Sequence, residues 1–218
     1  MNQDAATGTV ICVALNYAPQ LEALAPELNA PPYGRPPQTP VLYIKPANTR
    51  AGHGDTIALP ADADRVEPTP CLAAVVAETL RHTDEAGAAR AIAGYTLMND
   101  FSLPGQNYFR PPVRSRCFDG SGPLLAPVIP ASEVPDPYAL CIRTFVNGVQ
   151  CGEAHSGKLV RRFPALIAFI SGFMTLHAHD VIASAFPCTG QGASAGDEIS
   201  IEADGIGRLS NTIMEGTA

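Results

Sequence analysis

The sequence predicts an α+β, strand-rich fold organised as a single domain over residues 1–218. Three observations lead there. Short β-branched apolar runs recur along the chain. The 21 prolines and 19 glycines are dispersed between those runs as punctuation instead of collecting in a linker. Helical spacing is confined to a few stretches. At 46% hydrophobic residues the chain can bury one full core, or at most two small ones.

In order along the chain, Thr9 to Leu15 and Val41 to Ile44 are β-branched runs of strand length on either side of the Pro-rich stretch Pro31 to Pro40. Gln20 to Leu28 is a short helix or a loop, because the prolines from Pro31 onward forbid a long one. Leu72 to Ala77 is an unbroken apolar run that reads as a buried strand, followed by an Ala-rich helix over Glu85 to Ala93 that Gly94 ends. Leu140 to Val146 runs into Asn147-Gly148, a dipeptide suited to the positive φ angles of a tight hairpin. Leu166, Ile167, Ile170, Phe173 and Met174 share one helical stripe, which packs on a core. Glu198 to Glu202 alternates as a strand does, Gly205-Ile206-Gly207 turns the chain, and Arg208 to Ile213 returns.

A net charge of −7 with scattered Lys and Arg leaves no basic stripe for phosphates, so nucleic acid is not an expected partner. No apolar run approaches the length of a membrane span, and Met1 to Thr7 has no leader character, which predicts a cytoplasmic protein. The six cysteines are irregularly spaced with no Cys-x-x-Cys pair, as reduced thiols are.

Read residue by residue, few groups announce chemistry. His177, His179 and Asp180 are spaced as weak metal-ligand candidates but follow a helix and read as a turn. His53 is a glycine-flanked loop residue, and Gly190-Gln191-Gly192 lacks the strand-then-helix setting of a phosphate loop. Asp100 ends the apolar strand Gly94 to Asn99, so it either caps a turn or reaches a pocket mouth. Asp119-Gly120 carries the same two readings.

Several segments together resemble the fumarylacetoacetate hydrolase family. They are Ala14-Leu15-Asn16-Tyr17, Tyr43-Ile44-Lys45-Pro46, Ala93-Gly94-Tyr95-Thr96 with Asn99-Asp100, Asp119-Gly120, Phe173-Met174-Thr175-Leu176, Gly196-Asp197-Glu198 and Gly205-Ile206-Gly207-Arg208-Leu209 with Asn211. Within that family, Gln20-Leu21, the Pro-Pro-Tyr-Gly-Arg-Pro-Pro stretch, Asn99 to Pro104 and Tyr108-Phe109-Arg110-Pro111 look like the N-terminal half of the bifunctional decarboxylase/isomerase members. The resemblance implies a mixed β-sandwich roll with a few helices, assembled as a homo-oligomer or with a companion chain like the C-terminal half. It also implies a function: a subunit of a 5-oxopent-3-ene-1,2,5-tricarboxylate decarboxylase / 2-hydroxyhepta-2,4-diene-1,7-dioate isomerase in homoprotocatechuate breakdown. The substrate would be a small 2-oxo or enol carboxylic acid.

The family chemistry uses a hard divalent cation, Mg²⁺ or else Mn²⁺ or Ca²⁺, held by three carboxylates: two from a Glu-x-Glu on a strand and one from an aspartate. By the resemblance, that pair falls on Thr69 and Cys71, and only Asp100 survives as a metal ligand. A hydroxyl and a thiol are poor replacements for anionic oxygens. Glu67 lies two residues before Thr69, and Pro68 and Pro70 are expected to disturb strand pairing there. Among the catalytic positions, Lys45 is kept, Gln20 stands where a lid histidine is expected, and Arg116 replaces a lysine. Ser184 opens Ser184-Ala185-Phe186-Pro187 in place of a Thr-Gly-Thr-Pro substrate loop, where Phe186 is expected to fill part of the cradle. Two readings follow: an enzyme subunit with a shared site, or a catalytically degenerate partner of a competent metal-binding subunit.

Overall fold

The computed structural model describes residues 8–105, 112–187 and 192–216. The Tyr108 to Pro111 segment, Cys188 and Gly190-Gln191 lie outside them. In chain order the strands are β1 Val10–Ala14, β2 Val41–Lys45, β3 Arg50–Ala51, β4 Thr56–Ala58, β5 Arg65–Val66, β6 Pro70–Val76 and β7 Ile92–Asn99. The second half adds β8 Gly122–Pro123, β9 Ile129–Pro130, β10 Cys141–Val146, β11 Val149–His155, β12 Val181–Ala185, β13 Ala193–Ser194, β14 Glu198–Ala203 and β15 Gly207–Met214. The helices are short: α1 Ala18–Ala23, α2 Ala25–Leu28, α3 Glu85–Arg90, α4 Val113–Arg116 and α5 Phe163–Ser171.

Two sheets dominate, as the strand-rich α+β reading expects. The larger has six strands in the order β2-β1-β12-β6-β7-β9 and is mixed, because β1 and β12 run parallel while its other pairs are antiparallel. The smaller has five, in the order β11-β10-β14-β15-β4. Side chains alternate faces along a strand, so each long strand of the larger sheet feeds two cores. Ile11, Val13, Leu72 and Leu97 point between the sheets, where they meet Ile142, Ile201 and Leu209 of the smaller one and Phe163, Leu166, Ile167 and Ile170 of α5. Cys12, Cys71, Ala73, Met98 and Ala183 face the opposite way and form a second buried cluster. The candidate site grows out of that second face.

Local expectations meet the structure with a few differences. Asn147 and Gly148 take φ of 50° and 76°, closing β10 and β11 as a hairpin. Asp84 caps α3, its carboxylate accepting from the Gly87 amide at 2.7 Å. That helix stops at Arg90 and not at Gly94, because Ile92 already pairs with Val76. Gly94 instead sits within β7, where a Cβ would lie 2.2 Å from the Ile129 carbonyl oxygen. α5 likewise ends at Ser171, so Phe173 leaves the stripe and is 63% exposed. Gln20 to Leu28 resolves into α1 and α2.

The expectation that Pro68 and Pro70 disturb the pairing holds in part: β6 begins only at Pro70, and Glu67 joins Ser102 through an isolated bridge. The Asp100 amide donates to Thr69 O at 2.9 Å, and Glu67 and Ser102 exchange backbone bonds at 2.7 and 3.0 Å. Pro70 needs no donor of its own: its carbonyl accepts from the Phe186 amide at 2.8 Å. Backbone pairing therefore resumes in register at Glu67 and Ser102, ahead of β6, although residues 68 and 69 belong to no strand.

Candidate active site

β6 and β7 set the geometry. Cys71 pairs with Met98 and Pro70 with Asn99, which brings Thr69 level with Asp100 on the neighbouring strand. Thr69 and Cys71 are two residues apart, so they share a face, and it is the face of Met98 and Asp100. The positions expected to hold a carboxylate pair do flank Asp100 in space. What they carry is a hydroxyl and a thiol, both buried.

Asp100 is fully buried, and both of its oxygens are engaged. Lys45 Nζ, itself buried, lies 2.7 Å from Oδ1. Oδ2 accepts from the Tyr43 hydroxyl and from the Arg116 guanidinium. Arg116 also donates to the Tyr43 oxygen at 3.1 Å, with its guanidinium carbon 5.2 Å from the centre of the Tyr43 ring. Lys45 makes three further bonds, to Arg116 O at 2.5 Å, Ser121 O at 2.9 Å and Ser121 Oγ at 3.1 Å. Its side chain has room because residue 122 is glycine: a Cβ there would come within 2.8 Å of Lys45 Cε. Tyr43 and Lys45 stand two apart on β2, opposite Cys12 and Val10 of β1, which aims both at the second core face.

The electrostatics follow from this arrangement. Burial alone would raise the Asp100 pKa, but Lys45 and then Arg116 outweigh it and hold the carboxyl below its ordinary value. Arg116 is pushed the other way: burial opposes its charge, and Asp100 more than restores it. The Cys12, Tyr43 and Cys71 groups are all raised, by burial first and by Asp100 second, so all three are neutral. Among the described residues two cations thus face one anion, and the Arg116 side chain keeps 13% of its surface exposed.

Not every residue expected at a site joins this centre. Ser184 is paired with Val13 and Leu72, whose side chains belong to the core between the sheets, so it faces away from Asp100. Its hydroxyl accepts from Asn16 Nδ2 at 3.0 Å. Phe186 fills no cradle beside Asp100 either; it is buried in that same inter-sheet core, edge to face with Tyr17 at 5.3 Å. Gln20 sits partly exposed in α1, and among the described residues no hydrogen bond or ion pair links its side chain to Asp100. Asp119 is an exposed turn residue whose carboxylate accepts from Asn48 at 2.7 Å, and Gly120 supplies the φ of 73°. Asp180 ties off a turn: its two oxygens accept from the Thr9 and His177 amides at 2.6 and 2.8 Å. Two groups not expected as site residues belong to the centre: Tyr43, which opens the Tyr43-Ile44-Lys45-Pro46 motif, and Ser121. The spacing Tyr43-x-Lys45 on a strand was the available signal for the first, since alternate residues share a face.

A hard divalent cation needs several anionic or carbonyl oxygens turned inward. Among the described residues the carboxylate bonded at this centre, Asp100, has both oxygens saturated by cations and a phenol, and the groups beside it are a neutral thiol and a hydroxyl. The residues around Asp100 do not fit Mg²⁺ or Mn²⁺.

The comparisons with known proteins agree with the fold and define its class. Residues 9–214 match the family described as fumarylacetoacetate (FAA) hydrolase C-terminal. The chain belongs to this family. It is 35% identical over 209 residues to the 4-hydroxyphenylacetate degradation bifunctional isomerase/decarboxylase of Escherichia coli, covering 95% of this chain and 47% of that protein. The chain thus spans about half the length of that curated relative. The crystal structure of 2-hydroxyhepta-2,4-diene-1,7-dioate isomerase from Mycobacterium marinum superposes with a TM-score of 0.82 at 28% identity, covering 97% of this chain and 76% of that one. A fumarylpyruvate hydrolase from Pseudomonas aeruginosa, solved with Mn²⁺ and pyruvate, shares the fold with a TM-score of 0.80 at 23% identity, over 95% of this chain and 89% of its own.

Proposed function

We propose that the chain serves aromatic catabolism as one subunit of a 5-oxopent-3-ene-1,2,5-tricarboxylate decarboxylase / 2-hydroxyhepta-2,4-diene-1,7-dioate isomerase, in a cytoplasmic assembly whose metal-dependent step lies on a companion chain. Family membership and the names of the two relatives above support the substrate class. The observation that carries the division of labour is the saturated Asp100: buried Lys45 and partly exposed Arg116 occupy the carboxylate that a metal would need. In this subunit Arg116 and Lys45 supply positive charge, and the planar, partly exposed guanidinium of Arg116 suits a carboxylate of a 2-oxo or enol acid. The divalent ion, where the companion holds it, would polarise the 2-oxo group of the substrate.

A second reading, a partner without turnover, is favoured by one specific feature. The Lys45–Asp100 pair has no exposed side-chain surface, so neither group is placed to touch a substrate. One experiment separates the readings. The chain is affinity-purified from its native host, and the assembly and the isolated chain are assayed for turnover of 2-hydroxyhepta-2,4-diene-1,7-dioate with and without Mg²⁺. The proposal expects Mg²⁺-dependent turnover only in a complex containing a homologous chain with an intact Glu-x-Glu, and a loss of that turnover in Arg116→Ala. Full Mg²⁺-dependent turnover by the isolated chain would overturn it. Unchanged turnover in the Arg116→Ala complex would leave the structural-partner reading standing.

A further inference from the structure

The outer face of the smaller sheet carries a second polar cluster. Cys141 on β10 is directly opposite His155 on β11, and Glu153 stands two residues before His155 on the same face. One ligand atom from each, the Cys141 sulfur, a Glu153 carboxylate oxygen and a His155 ring nitrogen, all lie within 4.8 Å of one another. We propose that Cys141, Glu153 and His155 form a binding site for a borderline-soft divalent cation of the zinc class, with its fourth position open to water.

The donor chemistry selects the ion. One sulfur, one imidazole nitrogen and one carboxylate oxygen suit Zn²⁺ or Co²⁺, and they suit Mg²⁺ poorly. In a tetrahedral zinc site with bonds of about 2.0–2.3 Å, ligand atoms stand roughly 3.5 Å apart. Small rotamer changes of three side chains on one sheet face close the remaining gap.

The surroundings prepare the site. Arg143 is the register partner of Glu153, but its guanidinium is turned to β14 and its following turn, 2.8 Å from Asp204 and 3.7 Å from Glu202. Glu153 is left to face His155, with its Oε1 3.5 Å from Nε2. Gln150 Nε2 lies 3.3 Å from the other carboxylate oxygen and orients the group from outside the trio, as outer partners of metal ligands do. The strand ends are pinned: buried Ser156 accepts from the Leu140 amide through Oγ at 2.9 Å, and its own amide donates to Leu140 O at 3.0 Å. Cys141 and His155 are therefore held opposite each other by backbone that follows immediately on both strands.

The test uses the full chain, stripped of metal with a chelator and titrated with Co²⁺ and Zn²⁺. We expect one equivalent of Co²⁺ with a thiolate-to-cobalt charge-transfer band in the near ultraviolet, displaced by Zn²⁺ and untouched by excess Mg²⁺. Cys141→Ser should abolish the band, and Cys151→Ser should leave it. Loss of outer partners alone weakens metal sites by about tenfold or more, so His155→Ala should exceed that. If Cys141→Ser does not fold, His155→Ala and Glu153→Gln, both at exposed positions, carry the test through Zn²⁺ affinity. Absence of a band, a band that persists in Cys141→Ser, or Zn²⁺ affinity unchanged in His155→Ala would each overturn the assignment.

Discussion

The molecule carries two clusters that look like metal sites from opposite directions. Asp100 stands where the family resemblance places a ligand of a hard cation, yet it is buried among Lys45, Arg116 and Tyr43, with neutral thiols beside it. Cys141, Glu153 and His155 occupy no such position, yet they present three unlike donors on an accessible sheet face. Location in the fold survives substitution because strand register fixes it. Metal competence does not, because it depends on which charged atoms remain uncommitted.

The largest effect expected from this contrast is on stability. Asp100→Ala leaves the buried Lys45 cation, and Arg116 beside it, without their anion, which costs about 3–5 kcal/mol for a broken buried pair, read as a lower urea midpoint. A loss below about 1 kcal/mol would mean that Lys45 and Arg116 find water when Asp100 is gone. Next in size is Thr69→Glu with Cys71→Glu. Three carboxylates would then face two cations, and Mg²⁺ affinity should rise on the order of tenfold or more. Because a ligand that binds only the folded state raises its stability, the double variant should show a Mg²⁺-dependent melting temperature that the parent lacks. No Mg²⁺ response in a folded double variant would break the assignment of those positions.

Acid response gives a third, intermediate effect. The folded pKa of Asp100 is depressed, so its contribution is fully present above the ordinary carboxylate range and is lost as pH falls through the folded value. Stability from this pair should therefore hold from neutral pH down to about pH 4 and decline only below it. Asp100→Asn should flatten that acid limb in urea titrations at stepped pH. Smallest of all is the exposed pair Arg114–Asp62, the same residue types with side chains 73% and 64% exposed. Asp62→Ala should change stability by less than about 0.5 kcal/mol, and a larger loss would blur the distinction between buried and surface pairs.

How much of this was written in the sequence varies with the physics involved. Strand positions followed from β-branched runs, and the hairpin from Asn147-Gly148, because alternation and turn chemistry are local. The flanking of Asp100 by Thr69 and Cys71 came from motif order, and the register of β6 and β7 agrees with it. The saturation of Asp100 was not legible. It needs Lys45 from β2, Arg116 from α4 and Ser121 from the following loop, brought together by sheet order across 76 positions of sequence. Ser184 was misplaced for a related reason: a motif gives a position along a strand, whereas the face it points to depends on pairing with Val13 and Leu72. The prolines at 68 and 70 were expected to disturb pairing, and the regular strand does begin only at Pro70; that the bonds at Thr69 and Pro70 run through their carbonyls was not visible in the sequence.

The central claim is that the fold keeps the family's cation position while its donors no longer bind the ion. Calorimetric titration of the purified chain with Mn²⁺, in the presence of enough Zn²⁺ to fill any thiolate-containing site, measures this most directly. The account predicts no saturable Mn²⁺ binding in the micromolar range. One tightly bound equivalent of Mn²⁺ that disappears in Asp100→Asn would contradict it.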